Sequence, residues 1–337
     1  MVNALRLPVP NSWYGLAFTD ELKPGSVLTR RLAGHDLVLY RTQAGAVSVV
    51  DAFCPHLGAH FGHGGTVEGE ELRCPFHGFR FNLDGECTAT GYGTKPPAKA
   101  RLKVWRSVEA NGIIFVWYDS RDCPPAWQPP VLDTAGWTPI IHRTFPLRDH
   151  PQETVENGVD IGHFAIVHGY TEVEVHEDLV VDGPTFRTAY AATRPMPFLG
   201  RLGAKVRFHF ELNIHGLGFS LVQVRVPRFG LRSRLFILAV PVEADGIQLH
   251  LALSLERLRS GAAVHPLLGF LPGSLLSPFI ARAIHGGLVN DAQQDFAIWE
   301  NKRYLHPPAL AEGDGPIGRF RIWAKQFYHE LPAAIEA

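Results

Sequence analysis

Cys54-Pro55-His56-Leu57-Gly58-Ala59 and, after 17 residues that intervene between His56 and Cys74, Cys74-Pro75-Phe76-His77-Gly78 decide the reading of this chain. Two thiols and two imidazoles occur as two pairs in the order Cys, His, Cys, His. Each pair is flanked by Pro and Gly, which set tight turns, so two loops can close over one centre like a clamp. The backbone amides of such turns can approach the sulfurs of whatever the loops hold.

Two cysteines on one iron and two histidines on the other form the ligand set of a Rieske [2Fe-2S] cluster, in which neutral imidazoles replace two anionic thiolates and raise the potential. Zinc also accepts two Cys and two His, but common zinc fingers place both cysteines before both histidines, with different gaps. Cys54, His56, Cys74 and His77 are therefore expected to hold a Rieske cluster. His60 and His63 add imidazoles beside the first loop and read as surface or supporting residues, because the four ligand positions are already filled.

Composition fits a redox enzyme in a reducing compartment. A chain of 337 residues can bury a large core and suggests about two domains. A formal net charge of -1 gives no reason to expect nucleic acid or an anionic membrane as partner. With four cysteines in all, Cys87 and Cys123 lie outside any ligand spacing and read as reduced, partly buried thiols. So few cysteines make no disulfide framework, and a cytoplasmic location is expected. Met1 to Arg6 runs into Pro8 and Pro10 with no continuous apolar stretch, unlike a secretory signal. The most apolar region, Pro266 to Val289, is interrupted by Pro272 and Pro278 and contains Arg282 and His285. It is expected to be a loop leading into a buried helix rather than a membrane span, with grazing contact to a membrane or an oily entrance as the alternative.

The first 120 or so residues read as strands. Ser26–Thr29, Leu37–Tyr40, Val47–Val50 and Ile113–Tyr118 are short apolar or alternating runs separated by Gly-containing turns. The Pro-rich segment Cys123-Pro124-Pro125-Ala126-Trp127-Gln128-Pro129-Pro130 then breaks regular structure. This places an all-β domain over residues 1–122 and a second domain over residues 123–337. In the latter, Val206–Leu212, Phe219–Val224 and Leu235–Val240 read as sheet strands that line a cavity or form ordinary core.

The second domain opens on Glu156-Asn157-Gly158-Val159-Asp160-Ile161-Gly162-His163-Phe164-Ala165-Ile166-Val167-His168. His163 and His168 are five apart, so their imidazoles converge only at a helical irregularity or a helix end. Two histidines and one carboxylate form the facial triad of non-haem iron(II), which leaves positions open for dioxygen and substrate. Asp295, on an expected helix with Leu288, Ala292 and Trp299 near its face, is the candidate carboxylate. Asp291, one turn earlier, is the rival.

Over nearly its full length the chain resembles the α subunits of Rieske non-haem iron oxygenases, and within them the bacterial 3-ketosteroid 9α-hydroxylase oxygenases and the cholesterol 7-desaturases. The resemblance is carried by the cluster loops through Phe79-Arg80-Phe81 and Gly85-Glu86-Cys87, by the Asn157 to His168 helix, and by Gln294 to Lys302 with Gly313-Asp314-Gly315-Pro316 and Trp323 to Tyr328. Phe79 departs from the family, which usually has Trp there.

That resemblance implies an α+β fold: an all-β Rieske domain followed by a helix-grip catalytic domain. It implies that His163, His168 and Asp295 hold the mononuclear Fe(II), and that Asp160 links that site to a Rieske histidine of a neighbouring subunit in a head-to-tail homotrimer. It also implies electrons from an NAD(P)H-dependent reductase, directly or through a ferredoxin, since the chain has neither a Gly-rich dinucleotide fingerprint nor a four-cysteine ferredoxin spacing. Hydroxylation or desaturation of a bulky apolar substrate, a steroid or sterol, with one oxygen atom leaving as water, is the function implied. Other readings stay open on the sequence: an oxygenase for aromatic or alicyclic substrates, a Rieske electron carrier, or a lipid-binding module without oxygenase activity.

Overall fold

The computed structural model describes residues 6–195, 205–261 and 269–336. Its N-terminal part is built from strands β1 (Ser12–Phe18), β2 (Val27–Leu32), β3 (His35–Arg41), β4 (Val47–Asp51), β5 (Thr66–Glu68), β6 (Glu71–Arg73), β7 (Arg80–Phe81), β8 (Cys87–Ala89), β9 (Val104–Trp105), β10 (Ser107–Ala110) and β11 (Ile113–Tyr118). They form three small sheets in the orders β2-β3-β4-β9, β5-β6-β7-β8 and β1-β11-β10. All four apolar runs expected as strands are strands here.

A single seven-stranded antiparallel sheet dominates the C-terminal part. Its strands are β12 (Ile141–Leu147), β13 (Thr171–Asp182), β14 (Thr185–Pro195), β15 (Lys205–His215), β16 (Phe219–Val226), β17 (Leu231–Glu243) and β18 (Gly246–Leu255), in the order β12-β18-β17-β16-β15-β14-β13. The α-helices among the described residues are α1 (Pro151–Glu156), α2 (Gly162–Ile166), α3 (Gly273–Trp299), α4 (Ile317–Ala324) and the short α5 (Ala333–Glu336). This is the α+β, helix-grip arrangement.

The sheet is apolar on both faces because both are covered. On one face Phe219, Leu221, Phe236 and Leu238 pack against Trp13, Phe18, Ile113 and Phe115 of β1 and β11. On the other, Leu147, Ile247, Leu249 and Leu251 pack against Val289 and Trp299 of α3. Alternate residues of one strand therefore go to different apolar partners, which explains why these runs are nearly continuous in sequence rather than alternating. Burying each such Leu, Val or Phe contributes roughly 1.5–3 kcal/mol, so the N-terminal sheet and α3 are both fixed relative to the site.

The sheet's two edges differ from its interior. β13 slips register against β14 at three places and exposes Glu172, Glu174, His176 and Asp178. β12 carries Pro146.

Helix α3 corrects one expectation. Pro272 precedes it as N-cap, but Pro278 lies inside it and the helix continues for 27 residues to Trp299. No helix among the described residues is long and apolar enough to cross a membrane. The loop half of the apolar region falls partly on residues 266–268, outside the described residues.

Candidate redox and iron sites

The two cluster loops fold alike. Cys54 donates its N–H to Ala59 O at 2.8 Å and Gly58 donates back to Cys54 O at 2.9 Å; Cys74 and Phe79, and Gly78 and Cys74, repeat the pattern at 2.8 and 3.2 Å. Gly78 closes its loop at φ +64°, a left-handed conformation that strains residues with a Cβ. The first loop leaves β4 and the second joins β6 to β7, so both are anchored at sheet ends.

The two loops bring thiol beside thiol and imidazole beside imidazole. Cys54 and Cys74 are both 2% exposed, and burial, followed by the neighbouring Cys74, pushes the Cys54 thiol up to about 12. A thiol in that position becomes a thiolate when a metal supplies the compensating charge. The His56 and His77 rings lie outside the thiols, with centroids 4.7 Å apart, and Phe79 stacks on His56 at 4.3 Å. His56 Nδ1 is buried with no hydrogen-bond partner, which suits a ring nitrogen reserved for a metal. Phe79 thus supplies the flat face that supports His56, without an indole N–H. His63 is exposed and His60 is half-buried, its Nδ1 accepting from Gly62 N at 3.0 Å. Cys87 is half-buried on β8, whereas Cys123 is exposed, contrary to the expectation of partial burial.

The second constellation is not one helix from Asn157 to His168. Helix α1 ends at Glu156, and residues 157–161 turn before α2 begins. Ile161 donates its N–H to Asp314 O at 3.2 Å. Gly315 packs so closely that a Cβ there would stand 2.3 Å from Val159 O. The Gly313-Asp314-Gly315 stretch therefore props the turn from behind. Arg321 of α4 holds Glu156 through two bonds of 2.6 and 2.8 Å, which fixes the end of α1. His168 lies beyond the end of α2, the helix-end geometry that five-residue spacing needs.

His163, His168 and Asp295 come together with their ligand atoms within 4.8 Å of one another. His163 Nδ1 is turned to the backbone carbonyl of Asp160, and His168 Nδ1 lies 3.1 Å from Gln294 Oε1. Held in this way, each ring presents Nε2 inward; His168 Nε2 is 3.4 Å from Asp295 Oδ2. Burial alone would lower the His168 imidazole, but the Asp295 carboxylate outweighs it and holds His168 above its ordinary value. Asn157 Nδ2 lies 3.2 Å from His163 Nε2 and 3.5 Å from Asp295 Oδ2. Two imidazoles and a carboxylate on one side of a pocket fit a facial iron(II) site.

Asp291 points elsewhere, pairing with Arg194 at 2.6 Å. Asp160 accepts the His163 backbone N–H at 3.2 Å through Oδ1, and its carboxylate stands 3.7 Å from His163 Nδ1 with a side chain 34% exposed. The ligand ring is thus bonded to the Asp160 backbone carbonyl rather than to its carboxylate. Burial pushes the Asp160 carboxyl up, yet His163 beside it holds it below the usual range. Asn157 and Gln294 lie in stretches quoted above but carried no assigned role; their adjacency to ligands in space is invisible in the sequence, although Gln294 directly precedes Asp295.

The triad faces a cavity of about 370 Å³. Phe164, Tyr190, Phe208, Phe210, Leu235 and Ile237 make it mostly apolar, and Tyr170, Arg194 and Asp291 give it one polar cluster.

A buried dithiol with two imidazoles, an inward-facing His2Asp triad and an apolar chamber over it define an oxygenase with a Rieske cluster and a non-haem iron. Residues 12–105 match the Rieske [2Fe-2S] domain and residues 116–328 match the 3-ketosteroid 9α-hydroxylase C-terminal domain, and the chain belongs to this family of Rieske oxygenases. It is 31% identical to cholesterol 7-desaturase nvd of Bombyx mori, over 98% of this chain and 72% of that one. It is 27% identical to the oxygenase component of 3-ketosteroid-9-alpha-monooxygenase of Rhodococcus rhodochrous, over 95% of this chain and 84% of that one. Among solved structures, dicamba monooxygenase bound to dicamba superposes with a TM-score of 0.67 at 18% identity, covering 94% and 96% of the two chains. Pseudomonas putida CBB5 NdmA with caffeine gives 0.69 at 19% identity, covering 93% and 89%; these two likenesses concern the fold. When bound, the cluster supplies single electrons and the mononuclear iron supplies dioxygen activation.

Proposed function

We propose that this chain is the oxygenase component of a multicomponent monooxygenase that hydroxylates or desaturates a steroid or sterol. The observation that carries this is the apolar chamber of about 370 Å³ opening on the His163, His168 and Asp295 face, a size within the roughly 300–1,000 Å³ of small-molecule sites. The names of the cholesterol and ketosteroid relatives support the choice of substrate.

In this reading Cys54, Cys74, His56 and His77 hold the cluster, and His163, His168 and Asp295 hold the iron. The apolar walls orient a rigid hydrocarbon skeleton and exclude water, while Asp160 O and Gln294 keep both ligand imidazoles in the tautomer that leaves Nε2 free. Asp160 connects the two centres across a subunit boundary in a homotrimer. An NAD(P)H-dependent reductase, directly or through a ferredoxin, delivers the electrons in the cytoplasm. The two units divide at residues 122 and 123, where the Pro-rich segment begins.

The test is anaerobic reconstitution with iron and sulfide, followed by a panel of steroids, sterols and aromatic acids with a surrogate reductase and O2. A steroid or sterol product heavier by one oxygen or lighter by two hydrogens, formed with matching substrate-dependent O2 uptake, is expected. Turnover of the aromatic acids alone would overturn the substrate assignment.

A further inference from the structure

We propose that Asp119, Cys123 and His329 form a third metal site, taking a borderline-soft divalent cation of the zinc class, separate from both redox centres. Their ligand atoms lie within 4.8 Å of one another. A thiolate, an imidazole and a carboxylate together are a donor set that suits zinc rather than magnesium or calcium.

The site is assembled from chain segments far apart in sequence. Asp119 directly follows β11, Cys123 opens the Pro-rich segment, and His329 lies 210 residues beyond Asp119. The short loop is held in place by its own backbone: Arg121 and Cys123 donate N–H groups to Asp119 Oδ1 at 2.9 and 3.0 Å. Asp122 turns the chain with φ +60°, which returns Cys123 to the side of Asp119. Asn11 then ties this point to both neighbours, accepting from Ser120 N at 2.9 Å and donating its N–H to Phe327 O at 2.7 Å.

His329 Nε2 already faces the carboxylate, 3.0 and 2.9 Å from Oδ1 and Oδ2. A hydrogen bond between Asp119 and His329 accounts for those two groups alone. It leaves the thiol of Cys123 unexplained, whose nearest acceptor is Arg121 O at 4.0 Å. Bond lengths of about 2.0–2.3 Å place tetrahedral ligands roughly 3.3–3.8 Å apart, so a small rotation of the exposed Cys123 side chain completes three positions. Solvent reaches the fourth, since the His329 side chain is 28% exposed. Binding releases the Cys123 thiol proton, while His329 binds as the neutral imidazole through Nε2 with its single proton on Nδ1. The consequence is a clip that ties the interdomain segment to the chain's end, beside the ion pair of Arg121 with Glu330.

The experiment uses the holoprotein with cluster and mononuclear iron loaded, so that the other Cys and His groups are occupied. Zn2+ is added, loosely held metal is removed by dialysis, and zinc content and zinc-edge X-ray absorption are measured on wild type, Cys123→Ser and His329→Gln. One retained zinc with a single sulfur neighbour at about 2.3 Å is expected in wild type. Each variant should lose at least about tenfold in zinc affinity, with iron content and the Rieske spectrum unchanged. Zinc retained equally by Cys123→Ser, or a wild-type zinc shell without sulfur, would overturn the site.

Discussion

Arg194 Nη1 lies 2.6 Å from Asp291 Oδ2, and this ion pair takes Asp291 out of the competition for iron one helical turn before Asp295. The same guanidinium stands 5.3 Å over the Tyr170 ring, so the polar corner of the chamber is a connected unit. Asp295→Ala is therefore expected to lower iron from about three to about two atoms per chain while the Rieske electron paramagnetic resonance signal persists. Asp291→Ala should keep all of its iron and lose about 1–2 kcal/mol of stability through the unpaired Arg194. Metal analysis decides: iron loss in Asp291→Ala with retention in Asp295→Ala would reverse the assignment.

The partly exposed imidazoles, as opposed to the buried thiols, set the character of the cluster. Replacing His77 by Cys adds an anionic ligand, which stabilises the oxidised state. The potential should fall toward the roughly -400 mV of all-cysteine plant-type centres. Protein-film voltammetry and electron paramagnetic resonance read this directly, and an unaltered Rieske signal in His77→Cys would remove His77 from the ligand set.

Asp160→Asn leaves both ligand shells intact, and its backbone carbonyl still faces His163 Nδ1. Both metal centres should be retained and reduction of the cluster by its partner should stay fast. Transfer from cluster to iron in a single turnover should slow by at least about tenfold, since the charged carboxylate is the only part removed. Stopped-flow absorbance follows cluster reoxidation with substrate and O2; a normal rate would make Asp160 a helix-start acid and nothing more.

Two buried histidines, His150 and His250, and the half-buried His215 make the fold acid-sensitive. Burial lowers His150 and His215 to about 4, and burial followed by Arg30 lowers His250 to about 3. Below an unfolded value of about 6.5 the unfolded chain takes up protons that the folded chain refuses, so stability falls as pH drops from there toward 4 and 3. Each ring contributes on the order of 3 kcal/mol across that window. Asp149, raised by burial to about 6, works in the opposite sense over the same range, and three groups outweigh one. Urea midpoints between pH 7.5 and 4.5 should decline, with a shallower slope in His250→Gln; identical slopes would contradict the role of His250.

Local chemistry made the cluster loops readable, because every ligand sits within a few residues of its own turn. Strand runs such as Ile113–Tyr118 were readable for a similar reason, since β-branched and aromatic residues cluster between turns. The break between α1 and α2 was not: the turn at residues 157–161 depends on Gly315 and Asp314, more than 150 residues away. The choice between Asp295 and Asp291 likewise needed Arg194, a strand residue on the far side of the chamber. Pro278 interrupts the apolar run in the sequence, yet α3 passes through it, where packing of Ala281 against Leu253 and Leu255 outweighs the local cost. The exposure of Cys123 follows from the loop that also carries Asp119, a tertiary fact with no local signature.

Proline on β12 and the charged, register-slipped β13 have a consequence for how this protein behaves at high concentration. A sheet grows by lending unpaired backbone groups on a flat edge to a newcomer. One border here lacks a donor at Pro146, and the other is bent and lined with Glu172, Glu174 and Asp178. Strand addition from a second molecule meets a missing bond on one side and, on the other, a register-slipped strand whose charged side chains are already engaged by Lys205, Arg207 and Arg319. Neither border of the long sheet is thus a flat, unbroken row of free backbone groups for a second copy to extend.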